Sequence, residues 1–319
     1  MRIMKKEERD KFFSFLFFSL LFTLHSSLIA GDVGTTAAQY LKISLNPKIE
    51  GMGGAACADF TDDAFYNPAS IAKTDIASSR MGYVSWFENM SKMNVFAVSP
   101  LRRSNIKLSA NLSYFDIGGL SFYDDNGNMT GDFKRNSVDL ALSAAANMGK
   151  LSLGLTVKGI NEKYSSDTGK AFAADVGFIF EFTRSVSIGA SMQNVGSKLK
   201  IGEVEKELTG GTKAGISIRP SKTVKINVDA DTPNDSDTRQ HFGAQWEFSK
   251  DYYLRGGWQK FGDVSGGTFG FGMKTPTSSW EKTSTSLTSV KGNLLVVDYS
   301  YQSNSEFDAI HRFSIGFEF

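Results

Sequence analysis

The sequence predicts an all-β fold class, a transmembrane antiparallel β-barrel of about 14 strands with a small N-terminal helical or irregular plug in its lumen. From Ser79 onward, apolar and polar residues alternate with a period of two, and clusters of turn-forming residues interrupt the alternation. Most of these segments are near the ~9 to 11 residues with which a tilted strand crosses a bilayer. Only six prolines occur in 319 residues, which is typical of uninterrupted strand ladders.

The N-terminal residues 1–30 predict a secretory signal peptide. Basic residues crowd positions 1–11, the apolar run 12–24 follows, and small residues end the stretch at Ala30. The apolar run is shorter than the roughly 20 residues that a membrane-spanning helix needs. The pattern therefore favours a signal for export over a membrane anchor.

Residues 31–78 match neither the apolar run before them nor the alternating segments after them, and they are predicted to form the plug, or hatch. Three glycines crowd into four positions of this segment, at Gly51, Gly53 and Gly54. Glycine is used where the backbone turns with a positive φ or approaches another surface closely. The sequence therefore predicts a tight, closely packed turn there.

Two short helices are predicted within the plug segment. Asn67 precedes Pro68, so its backbone is held out of the helical region while its side chain caps the turn that follows. Upstream, Thr35 or Thr36 precedes a short run with one apolar face and is predicted to cap a first helix.

The order of these motifs resembles the PorV/PorQ family of bacterial outer-membrane proteins, which are relatives of the FadL-type fatty-acid channels. The resemblance departs from the family pattern at Phe60, Thr61 and Ser70. It implies a barrel that holds the N-terminal segment inside as a plug. The matching positions are 39–42, 51–55, Asp59, Asp62, Asp63, Ala64, Asn67, Pro68 and Ala69.

Residues 79–319 are predicted to form the outer-membrane β-barrel, whose strand number should be even, as closed bacterial barrels require. In the segment 222–231 one face is apolar and the other is polar, so lipid is expected to contact only the apolar set. The predicted strands are 79–88, 93–101, 106–116, 136–148, 151–163, 171–182, 185–194, 211–219, 222–231, 239–249, 252–260, 265–274, 293–302 and 309–319.

The connections between the predicted strands fall into two classes. The turns 148–150, 183–185, 219–222 and 249–251 are short, as periplasmic turns are. Longer polar connections at 117–135, 195–210, 232–238 and 275–292 are predicted to be external loops. The chain ends on an alternating strand with a terminal aromatic, Phe319, which resembles the assembly signal of outer-membrane barrels.

Polar side chains on the predicted lumen faces are expected to pair across the lumen and with the plug, since unpaired charges in an interior are costly. Aromatic residues near strand ends are candidates for the interfacial girdle of the membrane. The lumen set is Lys225, Asp229, Asp231, Glu247, Arg255 and Arg312, and the girdle set is Tyr83, Trp86, Tyr252, Trp258, Tyr299 and Tyr301.

The sequence predicts no catalytic, cofactor or metal site, and no enzyme activity. Asp59, Asp62 and Asp63 lack the spacing and the turn glycine of a known calcium loop, so a polar plug is the favoured interpretation. The three histidines are scattered, which gives no support to zinc binding. A formal net charge of +1 argues against a nucleic-acid partner. Cys57 is expected to be a small buried residue.

Two functions compete, and both place the protein in the bacterial outer membrane. The PorV/PorQ resemblance implies protein export or surface assembly through partner proteins, namely secretion-system components or secreted cargo. The alternative is a FadL-like channel for hydrophobic small molecules, and a scaffold without transport is a third hypothesis. Outer-membrane lipid and the barrel-assembly machinery are the expected partners in each case.

Overall fold

The computed structural model describes residues 34–118, 120–124, 126, 128–133, 135–164, 167–261, 264–277, 293–303 and 308–319. In this part of the chain, 14 strands form one closed antiparallel barrel. The first and last strands close it, with a register that runs from Ser78 opposite Glu318 to Ser85 opposite His311. The predicted antiparallel barrel of 14 strands is confirmed.

The barrel strands lie close to their predicted positions, because the two-residue alternation fixes which residues face inward. They are β1 (Ser78–Ser85), β2 (Ser91–Pro100), β3 (Ile106–Asp116), β6 (Arg135–Met148), β7 (Leu151–Tyr164), β8 (Asp167–Thr183), β9 (Val186–Gly196), β12 (Gly211–Ile218), β13 (Val224–Pro233), β14 (Arg239–Ser249), β15 (Tyr252–Phe261), β16 (Val264–Pro276), β17 (Leu294–Gln302) and β18 (Ile310–Glu318).

Two small hairpins, which the sequence did not predict, lie outside the barrel ladder. They are β4 (Leu120–Tyr123) with β5 (Met129–Phe133), and β10 (Leu199–Ile201) with β11 (Val204–Lys206). Both fall in connections that were predicted to be long polar loops. Leu199 of the second hairpin is buried in an apolar cluster with residues of the N-terminal segment, so this hairpin folds inward over the barrel.

The outer face of the barrel is apolar and the inner face is polar. In β13, Ile226 and Val228 are exposed, whereas the alternate residues Asn227 and Asp229 are buried toward the lumen. A soluble barrel would bury the apolar set instead. No helix in the described residues has both the length and the apolar character to span a membrane.

The two ends of the barrel differ in their connections. One end, here the lower rim, holds the start of β1, the end of β18 and the short turns 149–150, 184–185 and 250–251. The opposite end, the upper rim, holds the connections 86–90, 197–210 and 234–238. Because strands alternate in direction, the ends of β16 and β17 at Pro276 and Leu294 also lie at the lower rim. Residues 278–292 lie outside the described part of the chain, but the flanks of this connection lie among the short turns. The prediction that groups 275–292 with the other long connections was therefore wrong.

Phe319 follows the end of β18, where its backbone N–H donates a hydrogen bond to the carbonyl of Ala77. Its side chain is exposed, so it contributes little to the barrel interior. We expect that deleting Phe319 lowers the amount of barrel assembled in the outer membrane while leaving the unfolding temperature of the assembled barrel unchanged. Quantitative blotting of outer-membrane fractions measures this, with Phe317→Ala as the control on the same face. Normal membrane levels of the truncated chain would contradict it.

Candidate functional site: the N-terminal segment and the cavity above it

Residues 34–77, here the N-terminal segment, run from the upper rim to the lower rim against the inner wall of the barrel. The segment begins beside the upper-rim connection, where Ala37 forms a parallel bridge with Leu208. It contains the 3-10 helix Gln39–Lys42, the short α-helix Pro47–Glu50 and the 3-10 helix Pro68–Lys73. The segment then enters β1 at the lower rim.

The glycines of the segment form a turn directly after the short α-helix. Gly51 ends that helix with a helical backbone, while Gly53 and Gly54 have φ of +67° and +76°. Only glycine adopts such positive φ values without strain. The turn presses its backbone against the wall, and the N–H of Gly53 donates a hydrogen bond of 2.9 Å to the hydroxyl of Thr268.

Asn67 starts the helix Pro68–Lys73, as the sequence predicts. Its side-chain oxygen accepts a hydrogen bond of 3.0 Å from the N–H of Ala69. Its amide nitrogen also donates to the carbonyls of Cys57 at 2.7 Å and of Phe178 in β8 at 3.0 Å. Asn67 therefore joins two parts of the segment to the wall as well as capping a helix.

The predicted cap at Thr35 or Thr36 was wrong. The residue before the helix Gln39–Lys42 is Ala38, which has φ of +57° and makes no side-chain cap. The Thr36 hydroxyl instead donates a hydrogen bond to Asp235 at the upper rim. Asp235 also accepts hydrogen bonds of 2.5 Å from Gln39 and Lys42, so this carboxylate holds the start of the segment to the barrel.

Glycines of the barrel wall allow the segment to lie directly against the strands. At five of them a Cβ atom would overlap atoms of residues 52–69, so side chains are excluded at these five wall positions. These contacts between wall glycines and the N-terminal segment were not predicted, because the residue that packs against a strand glycine inside the lumen is distant in the sequence. The five that make the tightest contacts are Gly154, Gly177, Gly189, Gly243 and Gly257.

The three plug-motif acids bind cationic side chains of the barrel wall. Asp59 accepts hydrogen bonds of 2.8 Å from Arg219 and from Lys225. Arg80 of β1 contacts Asp62 at 3.1 Å and Asp63 at 2.5 Å. The described residues contain no cluster of three or more metal-ligating side chains. These acids therefore act as anchors between segment and wall.

The charge of Asp62 is stabilised by its partners. Burial acts to raise the pKa of the Asp62 carboxyl, but Lys48 and Arg80 outweigh burial and hold this pKa below its usual range. The ion pairs of Asp62 with Lys48 and Arg80 are therefore expected to persist in mildly acidic solution.

The predicted lumen charges also have partners. Asp229 accepts hydrogen bonds of 2.6 and 2.7 Å from the N–H groups of Ala56 and Cys57, which lie in the segment. Arg255 pairs with Asp298 at 2.8 Å across the wall. Other lumen charges pair in the same way: Lys225 with Asp59, Asp231 with Lys213, and Arg312 with Glu50, while Glu247 accepts from the N–H of Asp251.

A cavity of about 400 Å³ lies between the N-terminal segment and the upper rim. One wall is apolar and includes Leu41, Ile43 and Ile310 together with aromatic rings. Trp86 is among these rings and its indole lies 5.3 Å from the guanidinium of Arg312. Trp86 therefore lines the lumen, and its predicted place in the membrane girdle was wrong.

Polar and charged side chains also line the cavity. Arg312 pairs with Glu50 at 3.2 Å and donates to the Gln302 side chain at 2.9 Å. The Tyr66 hydroxyl donates a hydrogen bond to Glu50. Burial raises the pKa of Tyr66, and the carboxylate of Glu50 raises it further, so the phenol stays protonated. The cavity thus combines an apolar surface with ordered hydrogen-bonding groups.

No family model matches the sequence, and no curated protein does. The fold is similar to the crystal structure of the toluene transporter TodX of Pseudomonas putida, with a TM-score of 0.61 and 11% identity over 85% of this chain and 96% of that chain. It is also similar to the Ralstonia pickettii toluene transporter TbuX, with a TM-score of 0.62 and 14% identity over 86% and 97% of the chains. A FadL homologue of Pseudomonas aeruginosa gives a TM-score of 0.58 at 11% identity over 87% and 98%. At these identities the likeness concerns the fold alone.

The contacts of Asn67 give a prediction for the N-terminal segment. We expect Asn67→Ala to weaken the docking of the segment by about 1–3 kcal/mol, because it removes a helix cap and leaves the carbonyl of Cys57 without its donor. Protease protection of the segment in the detergent-solubilised barrel measures the change. Asn67→Ser keeps a capping oxygen and should recover part of the loss. Equal protection in Asn67→Ala and the wild type would contradict the expectation.

Proposed function

We propose that the protein is a channel of the bacterial outer membrane that passes small molecules with a hydrophobic body. The cavity of about 400 Å³ carries this proposal, because it lies inside a barrel of the FadL-like fold and has the size of a small-ligand site. The apolar outer face supports the membrane location. No catalytic step is part of the proposal.

The N-terminal segment has a part in this function as a plug. Its glycine turn, its three acids and Asn67 all bind inward-facing groups of the wall, which supports the proposal that residues 34–77 block the lumen below the cavity. A molecule that reaches the cavity from the upper rim would then meet a closed floor. We propose that the upper part of the segment, which Asp235 holds through side chains, is the part that moves during passage.

The export role implied by the PorV/PorQ resemblance remains a prediction. The similar solved structures are named as hydrocarbon transporters or as a FadL homologue, which favours the channel hypothesis over export. A channel requires a ligand to enter the cavity, whereas a docking role for secreted proteins does not. Filling the cavity therefore separates them.

We expect Ile43→Trp to reduce uptake of a hydrophobic probe such as toluene, because the larger ring occupies the cavity that Ile43 lines. Uptake by cells that lack the protein, cells with the wild type and cells with the variant measures this, and the secreted proteins of the same cultures are compared. Leu155→Trp, on the exposed outer face, is the control. Unchanged uptake together with failed secretion would contradict the channel hypothesis and support export.

A further inference from the structure

Among the described residues, five cationic side chains line the upper cavity, and at least four of them bind a carboxylate. Lys213 pairs with Asp231 at 2.6 Å, and Arg312 pairs with Glu50 at 3.2 Å. The other two pairs are Lys42 with Asp235 at 2.5 Å and Lys158 with Asp175 at 2.7 Å, and the fifth cation, Arg239, donates to the Ser236 hydroxyl at 3.1 Å. A carboxylate ligand would therefore lose its hydration on binding, while the lining cations that could compensate for this loss are already neutralised by carboxylates of the protein.

Amide side chains form the second polar group of the cavity. Gln193, Gln259 and Gln302 all line it, and each amide offers both a donor and an acceptor. Gln193 donates to the carbonyl of Phe65 at 2.5 Å, and Gln302 accepts from Arg312 at 2.9 Å. A plain hydrocarbon in this cavity would displace water from such groups without replacing its hydrogen bonds, which costs free energy.

Gln259 stands apart from the other amides. Its side chain is only 2% exposed, it lines the cavity, and it makes no hydrogen bond to any residue that the structure describes. Because Gln259 borders the cavity, its amide donor and acceptor are available to a molecule bound there. Leu41, Ile43 and Ile310 also line the cavity and offer a surface for an apolar body.

We propose that the upper cavity binds neutral amphiphilic molecules, with an apolar body against the aliphatic and aromatic wall and an uncharged hydroxyl, carbonyl or amide group hydrogen-bonded to Gln259. This inference rests on the proposed function, since it names the ligand class of the same channel. It separates this chain from its structural neighbours, whose names give toluene, a plain hydrocarbon, as what they transport.

Three probes of one shape test the inference: toluene, 4-methylphenol and 4-methylbenzoate. Equilibrium dialysis of the purified barrel in detergent, against protein-free micelles, gives the three affinities at neutral pH. We expect 4-methylphenol to bind more tightly than toluene by on the order of tenfold, the worth of one satisfied buried hydrogen bond. We expect 4-methylbenzoate to bind more weakly than 4-methylphenol. Equal or tighter binding of toluene or of 4-methylbenzoate would overturn the inference, as would the absence of binding by all three probes.

Three variants test where the polar group of the ligand binds. Gln259→Leu should abolish the preference for 4-methylphenol over toluene, and Gln240→Leu, which replaces an exposed glutamine on the outer face of the barrel, should leave it unchanged. Glu50→Gln removes the carboxylate that neutralises Arg312 and should increase the affinity for 4-methylbenzoate. A preference that survives Gln259→Leu in a folded barrel would overturn the assignment to Gln259. The ranking of the three probe affinities in the wild type does not depend on whether a variant folds. The uptake assay tests the channel hypothesis separately from these affinities.

Discussion

Leu142→Arg is expected to cost about 2–4 kcal/mol of the free energy of unfolding from a lipid bilayer, whereas Met148→Arg in the same strand should cost about 0–1 kcal/mol. Both side chains belong to β6 and point outward, and both are about half exposed, at 49% and 56%. Leu142 lies in the middle of the 14-residue strand, and Met148 is its last residue. If the outer face contacts lipid, the cost of an arginine depends on its depth in the bilayer and not on its exposure.

The pair therefore tests the membrane location without any assumption about transport. Urea-dependent unfolding of the barrel in lipid vesicles measures both free energies. In detergent micelles, which adapt their shape around the protein, the difference in the free energy of unfolding between the two variants should be smaller. Equal costs at the two positions in vesicles would show that the middle of the outer face does not lie in a hydrocarbon layer.

Most of the barrel could be predicted from the sequence, since its strands are long and alternate strictly. In β13 the pattern alone places Ile226 outside and Asn227 inside, and the structure agrees. The position of the connection 275–292 was misjudged because its length and polarity were compared with those of external loops. Counting strand direction from β1 instead places its flanks at Pro276 and Leu294 among the short turns.

The candidate site could be predicted only in part. The glycine turn and the cap at Asn67 are local features, so their residue types identify them directly. The places of Trp86 and Gln259 in the cavity lining depend on which residues meet across the lumen. The sequence pattern gives the face of a strand on which a residue lies, and it does not give the residue opposite. Wall glycines such as Gly243 were missed for the same reason.

Gly53 is the position where a substitution should have the largest effect on the N-terminal segment. A Cβ atom there would lie 2.6 Å from the carbonyl oxygen of Phe242 and 2.7 Å from that of Trp258, both in barrel strands. Neither backbone atom can move without distorting the ladder. The φ of +67° adds strain for any residue with a side chain, and most for a β-branched one. We expect Gly53→Val to weaken docking of the segment by about 2–5 kcal/mol.

Gly149 provides the matched control for Gly53. It has a similar φ of +73° in the turn between β6 and β7, and a Cβ atom there would contact nothing within 4 Å. Gly149→Val therefore introduces the backbone strain without the clash and should cost only about 1–2 kcal/mol. Comparing the two variants isolates the contact between the glycine turn and the wall.

Single-channel recording in planar bilayers gives the clearest measurement of this effect. If residues 34–77 block the lumen, Gly53→Val should show frequent ion-conducting openings, while the wild type and Gly149→Val stay nearly silent, because an undocked segment leaves a polar lumen behind it. Gly53→Ala introduces the same Cβ atom with less bulk and should give an intermediate opening frequency. This variant replaces Gly53→Val in the test if the valine variant does not assemble. Conductance that is the same in all four proteins would mean that the segment does not close the barrel.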